Sequence, residues 1–365
     1  MGRRIQLNIL HVVGARPNFV KLAPIKRALA GTRRVRQRLV HTGQHYDRVL
    51  SDDFFEDLSL ARPDLNLGVG SGSHGVQTGK LMQALEPVVE QFRPDWLFTV
   101  GDVNSTLAAA LVAAKLQIRV AHVEAGLRSH NWRMPEEINR VLTDRLSHAL
   151  FTTEASANEN LHREGIPESK VHFVGNVMID TLDKLLPRAE KLRTARALGL
   201  PVGRYVLVTL HRPINVDEST RLAAVAGALR QIAYVCECPV VFPVHPRTAR
   251  KIGENGIGDV LSTLHVLDPL RYLEFLSLMN TAGVVLTDSG GIQDETTVLG
   301  IPCVTLRPET ERPVTLTEGT NRLFDGSLDL LPEVVLKALQ EERRPVRPHL
   351  WDGQAAQRIA EITVS

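Results

Sequence analysis

Carboxylates collect in one stretch of this sequence. Asp95 precedes an apolar run, Asp102 follows that run in Gly101-Asp102, and Glu124 closes the next run in His122-Val123-Glu124-Ala125-Gly126-Leu127-Arg128. Glu136 and Glu137 come directly after Pro135. Acids at strand ends and helix starts are what acid/base chemistry at a carbon centre requires. One of the adjacent glutamates is expected to be only a favourable charge in the first turn of a helix.

A second set of residues suits an anion. Arg16, in Gly14-Ala15-Arg16-Pro17-Asn18, stands where a helix is about to begin, and Lys21 lies about one turn further on. A fixed cation beside free backbone amides favours a phosphate, although an arginine that only solvates the turn reads the same way. Asp288-Ser289-Gly290-Gly291 is the sharper signal: paired glycines admit close approach, Ser289 can donate a hydroxyl, and a helix N-terminus follows. Glu295, further along that helix, could accept from ribose hydroxyls or be merely an exposed helix acid. His211-Arg212, His245 close to Arg247, and Arg312 in Thr310-Glu311-Arg312-Pro313 complete the candidate donors to an anionic ligand.

The elements that must position these residues recur in a regular alternation. Short runs rich in Val, Ile and Leu, separated by amphipathic segments, are the pattern of parallel strands covered on both faces by helices. Strands are expected at Leu7–Val13, Arg38–Thr42, Trp96–Val100, Arg119–Val123 and Ala149–Thr152, then at Tyr205–Leu210, Val240–Pro243, Leu264–Leu267, Val284–Thr287 and Cys303–Leu306. Helices are expected at Ala23–Ala30, Ser105–Leu116, Glu136–Ser147, Ser219–Tyr234, Leu270–Met279 and Ile292–Leu299. The fold class is therefore α/β, doubly wound and run twice. The boundary falls near residues 176–200, which gives domains at 1–178 and 179–347. In open α/β sheets ligands sit beyond the carboxyl ends of strands, so two such domains can hold one ligand in the cleft between them.

Other chemistries are poorly supported. With 43 Lys and Arg against 41 Asp and Glu, no bulk field points to nucleic acid or a membrane. The basic cluster Arg33, Arg34, Arg36 and Arg38 has no interleaved aromatic residues to stack bases. Gly70-Ser71-Gly72-Ser73-His74-Gly75 fits the dinucleotide-binding spacing but follows a weakly strand-like run, and no Tyr is followed three residues later by Lys. His41 and His45, on a strand and its exit, would stand roughly 13 Å apart, too far to share a metal ion. No metal or other cofactor is expected. Three cysteines that cannot all pair, no signal-peptide pattern and no apolar run near the roughly 20 residues of a membrane span suggest a cytoplasmic protein.

Together these motifs resemble the non-hydrolysing UDP-N-acetylglucosamine 2-epimerases. The likeness runs from Gly14-Ala15-Arg16-Pro17 through Thr42-Gly43-Gln44-His45, Gly101-Asp102, His122 to Arg128, Pro135-Glu136-Glu137, Asn139-Arg140, His211-Arg212, Asp288 to Gln293 and Thr310 to Pro313, ending at Trp351-Asp352-Gly353-Gln354-Ala355. It implies two Rossmann-like domains of the GT-B type, residues 348–365 packing as a helix on the first domain, and a homodimer. It also implies a reaction in which UDP leaves by anti elimination across C1–C2 to give a 2-acetamidoglucal and re-adds with C2 inverted. By that resemblance Asp95, Glu124, Glu136 and His211 are catalytic. Arg16, Lys21, Gln44, His45, Asp102, Arg128, Arg212, His245, Ser289, Gly290, Gly291, Glu295 and Arg312 then bind the UDP-sugar.

Asn18 stands where many members have Glu, Ile214 replaces the Glu before Asn215, and Tyr46-Asp47 departs from members activated by a second substrate molecule. Rival readings are a glycosyltransferase of the same architecture, a hydrolysing epimerase and a sensor that binds a nucleotide-sugar unchanged.

Overall fold

The computed structural model describes residues 6–32, 35–43 and 52–365. They form two units, Met1–Asp183 with His349–Ser365, and Lys184–Pro348. The first holds strands β1 (Leu7–Val13), β2 (Val35–His41), β3 (Leu65–Asn66), β4 (Trp96–Val100), β5 (Arg119–Ala125), β6 (Ala149–Thr152) and β7 (Val171–Phe173). They make one parallel sheet in the order β3-β2-β1-β4-β5-β6-β7. The second holds β8 (Val206–Thr209), β9 (Val240–Pro243), β10 (His265–Leu267), β11 (Val284–Thr287), β12 (Cys303–Thr305) and β13 (Asn321–Leu323), parallel in the order β10-β9-β8-β11-β12-β13. Each sheet reverses direction once, at β1/β4 and at β8/β11, the Rossmann arrangement that leaves a crevice at the carboxyl ends of those strands. The expected doubly wound α/β class is the one observed.

Strands covered on both faces cannot alternate apolar with polar residues, and β1 does not: Ile9, Leu10, Val12 and Val13 are all buried. In the second unit Val206, Val208, Val240, Phe242, Val284, Leu286 and Val304 share one core. β3, β7 and β13 were not among the expected strands, because runs of two or three residues carry no readable period.

The first helix, Arg16–Ala30, begins seven residues before its expected start and runs through Pro24. Proline removes the bond its amide would make to the carbonyl four residues earlier, that of Val20. The Thr181 hydroxyl donates to that carbonyl at 2.7 Å, so the helix continues without a buried unpaired acceptor.

The last segment belongs to the first unit. Trp351 is buried, with its indole N–H donating to the Thr153 carbonyl at 2.8 Å. Asp180 accepts from the amides of Ala355 (3.1 Å) and Ala356 (2.7 Å), capping the helix Ala355–Val364. Gly175, at φ +89°, has no room for a Cβ because the Leu350 carbonyl lies against it. Among the described residues no helix is long and apolar enough to cross a membrane.

Candidate active site

In the first unit the site is built around the exits of β1, β4 and β5. Asn18 is buried just inside the helix that follows β1. Its side-chain oxygen accepts from the amides of Ala15 (2.9 Å) and Gly14 (3.3 Å), and its nitrogen donates to the Val100 carbonyl at 3.0 Å. This departure from the family pattern therefore tethers the β1 turn to the end of β4. Arg16, half-buried, lays its guanidinium 5.1 Å from the Phe54 ring centroid.

Glu124 sits where the β5 register slips between Val123 and Ala125, at φ +69°, a left-handed conformation uncommon for a residue with a side chain. Such conformations persist when surroundings fix them. Here the Lys21 ammonium is ion-paired directly to the Glu124 carboxylate, and both residues are buried. Gly101, at φ +71° after β4, faces the same pair: a Cβ there would lie 3.5 Å from the Glu124 oxygen, 3.6 Å from the Lys21 nitrogen and 3.3 Å from the Asn18 amide. Lys21, expected among the UDP ligands, thus has a carboxylate partner in this structure.

The helix Pro135–Leu146 separates its two leading glutamates. Glu137 is buried and accepts from the amides of Ser129 (3.0 Å) and His130 (2.8 Å) and from Arg140 (2.7 Å). Burial opposes its charge, but those donors hold its carboxyl below the usual range. Glu136 is half-buried and has no ion pair among the described residues. Asp102, at the β4 exit, is paired with Arg140 at 2.7 Å, while Asn139 donates to its backbone carbonyl at 2.8 Å.

Two first-unit expectations need correction. Asp95 precedes β4 and bonds the amide of Asn8 at 2.7 Å, with its own amide on the Asn8 carbonyl at 2.8 Å. It therefore lies at the amino edge of the sheet, roughly 16 Å along a five-residue strand from the exits where the other acids gather. Arg128 is buried between Asp144 (2.7 Å) and Glu164 (2.7 and 2.8 Å), an internal brace of the loop after β5 rather than a cation presented to a ligand. Gln44 and His45 lie outside the described residues.

The second unit gathers its candidates at the exits of β8, β11 and β12. Asp288, fully buried after β11, accepts from the amides of His211 (3.1 Å) and Arg212 (2.9 Å) and from the Asn215 side chain (3.1 Å). Its other oxygen lies 3.2 Å from Nδ1 of His211, whose ring stays 45% exposed. One carboxylate thus shapes the turn and aims the imidazole, a role the sequence reading of Asp288-Ser289-Gly290-Gly291 did not assign. The His245 ring lies 6.5 Å from that of His211, centroid to centroid.

Ser289 precedes the helix Gly290–Leu299, whose first amides have no carbonyl a turn earlier to bond. The ends of the Glu311 and Arg312 side chains occupy the place a Cβ at Gly290 would take, so any larger residue there must displace them. Arg312 is buried, donating to Asp294 at 3.0 Å and paired with Glu311, which Arg307 holds at 2.8 Å. Glu295 is not an exposed helix acid. It is buried, accepts from the Tyr272 hydroxyl, and has its carboxyl pushed up to about 7 by burial and by neighbouring Asp294.

The geometry of these strand exits coincides with a family assignment. The sequence profile of the UDP-N-acetylglucosamine 2-epimerases matches residues 27–364. The chain belongs to this family. It is accordingly an isomerase. The UDP-N-acetylglucosamine 2-epimerase of Methanocaldococcus jannaschii is 43% identical over 357 residues, covering 96% of this chain and 97% of that one. The UDP-2,3-diacetamido-2,3-dideoxy-D-glucuronate 2-epimerase of Pseudomonas aeruginosa is 40% identical over 357 residues, covering 97% and 99%. The crystal structure of the Methanocaldococcus jannaschii UDP-GlcNAc 2-epimerase in complex with UDP-GlcNAc and UDP matches with a TM-score of 0.92 at 42% identity, covering 98% and 99%.

Proposed function

We propose that the protein interconverts UDP-N-acetylglucosamine and its C2 epimer without net hydrolysis. The observation that carries this reading is the unlike setting of two glutamates that follow β5: Glu124 at its exit, buried against Lys21, and Glu136 in the first turn of the next helix, half-buried without an ion pair among the described residues. Inversion at C2 needs a proton taken from one face and returned to the other, so it needs two acid/base groups in different settings. Glu124 takes or returns the proton on one face and Glu136 acts on the other. Asp102, held by Arg140 at the β4 exit, replaces Asp95 as the third carboxylate.

The leaving group is UDP, which carries away the C1 oxygen as the C2 proton is lost and leaves a 2-acetamidoglucal. Charge accumulates on the diphosphate in that step, and preorganised donors stabilise it. His211, aimed by Asp288, the Ser289 hydroxyl and the amides of Gly290 and Gly291 serve it, with Arg16 and Arg212 as supporting cations and His245 as a further donor, while Arg312, held by Asp294 and Glu311, backs the start of the helix at Gly290. Glu295 accepts from the ribose. Re-addition of UDP to the other face completes the inversion. We further propose that the protein is cytoplasmic and works as a homodimer.

Incubation with UDP-N-acetylglucosamine alone, followed by proton NMR in deuterated water, tests this reading. The manno epimer should appear with deuterium at C2, and recovered starting material should acquire deuterium too. Accumulating free sugar and UDP would instead mark a hydrolysing enzyme, and unchanged substrate a transferase or sensor. Epimer that keeps its C2 hydrogen overturns the elimination route. The 40% identity to the Pseudomonas aeruginosa enzyme favours one second reading, a 2,3-diacetamido glucuronate substrate, which the same assay distinguishes by relative kcat/KM.

A further inference from the structure

His122 is fully buried on β5, and both its ring nitrogens face oxygens. Nδ1 lies 2.6 Å from a carboxylate oxygen of Asp144, and Nε2 lies 2.8 Å from the Gly101 carbonyl. A carbonyl can only accept, and a neutral imidazole carries a single N–H. A neutral ring would set a lone pair against either the carbonyl or the carboxylate, in a site with no water-exposed surface to relieve it.

The neighbours favour a proton on both nitrogens. Asp144 also accepts from Arg128 at 2.7 Å and from the Gly126 amide at 3.1 Å. Burial opposes its charge, but His122 and Arg128 hold its carboxyl below the usual range. Glu164 balances Arg128 in turn. Across the sheet His122 pairs with Thr99 on β4 and Leu150 on β6, neither titratable at neutral pH, and the Lys21–Glu124 pair lies two residues along β5.

Gly101 stands at the β4 exit beside Glu124. Gly101 donates its amide to Val123 at 3.1 Å and gives its carbonyl to His122, so both sides of this left-handed residue are pinned by β5 just before Glu124. The next residue is Asp102.

We propose that His122 is a resident imidazolium and a positioning residue that, by donating to the Gly101 carbonyl, fixes the peptide separating Glu124 from Asp102. Its effect on turnover rests on the epimerase reading above; its protonation does not. Nitrogen NMR of the histidine-labelled protein tests the charge directly. Both His122 ring nitrogens should resonate as protonated, and a ring with one bare nitrogen overturns the proposal.

Two isosteric variants test the positioning. The amide of a glutamine reaches the place of Nε2, so His122→Gln keeps the donation to Gly101. The amide of an asparagine reaches only the place of Nδ1, so His122→Asn keeps the Asp144 bond and frees Gly101. H122N should lose roughly 10²-fold in kcat, the effect of a misplacement of about 1 Å, with KM little changed. H122Q should lose less than about tenfold. Equal kcat in the two variants at matched thermal midpoints, or wild-type kcat in H122N, overturns the positioning. If the wild-type protein shows no epimerase activity, the function reading fails while the NMR still decides the charge; if neither variant folds, the wild-type spectrum still does.

Discussion

In the proposed reaction Glu124 and Glu136 divide one proton exchange, and replacing either acid by its amide keeps the shape while removing the charge. E124Q and E136Q should each lower kcat by roughly 10²–10⁴-fold with little change in UDP affinity, read by steady-state kinetics beside a UDP titration. The placement of Asp95 predicts a contrast with Asp102. D102N should lower kcat, whereas D95N should leave kcat nearly unchanged and lower the unfolding free energy by about 1 kcal/mol, the worth of one hydrogen bond. A large fall in kcat for D95N with an unshifted melting curve would refute that assignment. Much of the site was legible at this scale, because acids and cations after apolar runs are visible as letters. Asp95 precedes its strand, which in a parallel sheet consigns it to the amino edge, although its closeness in sequence groups it with the acids that follow strands. Arg128 could not be told from a ligand-binding cation, since the carboxylates that hold it, Asp144 and Glu164, lie far along the chain.

Among elements, the helix Arg16–Ala30 depends on a bond from outside itself. T181V removes the hydroxyl that satisfies the Val20 carbonyl beside Pro24, and should cost about 1–3 kcal/mol in urea denaturation, more than a surface Thr→Val change. The helix Gly290–Leu299 carries a pH signature. Glu295 has a folded-state value of about 7, above that of an exposed acid, so the folded unit keeps a proton that the unfolded chain releases earlier. Its contribution to stability is present below the ordinary value and is lost as pH rises through about 7. E295Q keeps an acceptor for Tyr272 without that titration. Thermal midpoints of E295Q should therefore gain on wild type as pH goes from about 5 to 8; parallel curves would contradict the buried setting. Ten of the thirteen described strands and six of the sixteen described α-helices were readable from periodicity, and the strand order follows the expected α/β class. The β5 irregularity that turns Glu124 was not readable, because a left-handed glutamate leaves no mark in composition and depends on contacts with Lys21 and Gly101. The turn at Arg16 reads as a helix start, but the continuity of that helix through Pro24 was not readable until Thr181 is seen.

At the scale of the whole chain, the segment His349–Ser365 completes the first unit after the second has been traversed. W351A empties a buried site and frees the Thr153 carbonyl, and should cost about 3–5 kcal/mol. Hydrogen exchange should show the loss in the first unit, with amides of Lys184–Pro348 protected as before; uniform deprotection of both units would mean they unfold as one. The two-unit organisation was visible in the repeated alternation, but the return of the chain rested on family likeness, since a short amphipathic helix does not name its partner. The return also bears on the order of birth. A ribosome delivers Lys184–Pro348 as one continuous stretch that can fold as it emerges, whereas the older half, made first and carrying the acids, must wait for the final turns of helix before its sheet is fully clad. During synthesis the unit Lys184–Pro348 can therefore mature before the unit that carries Glu124 and Glu136.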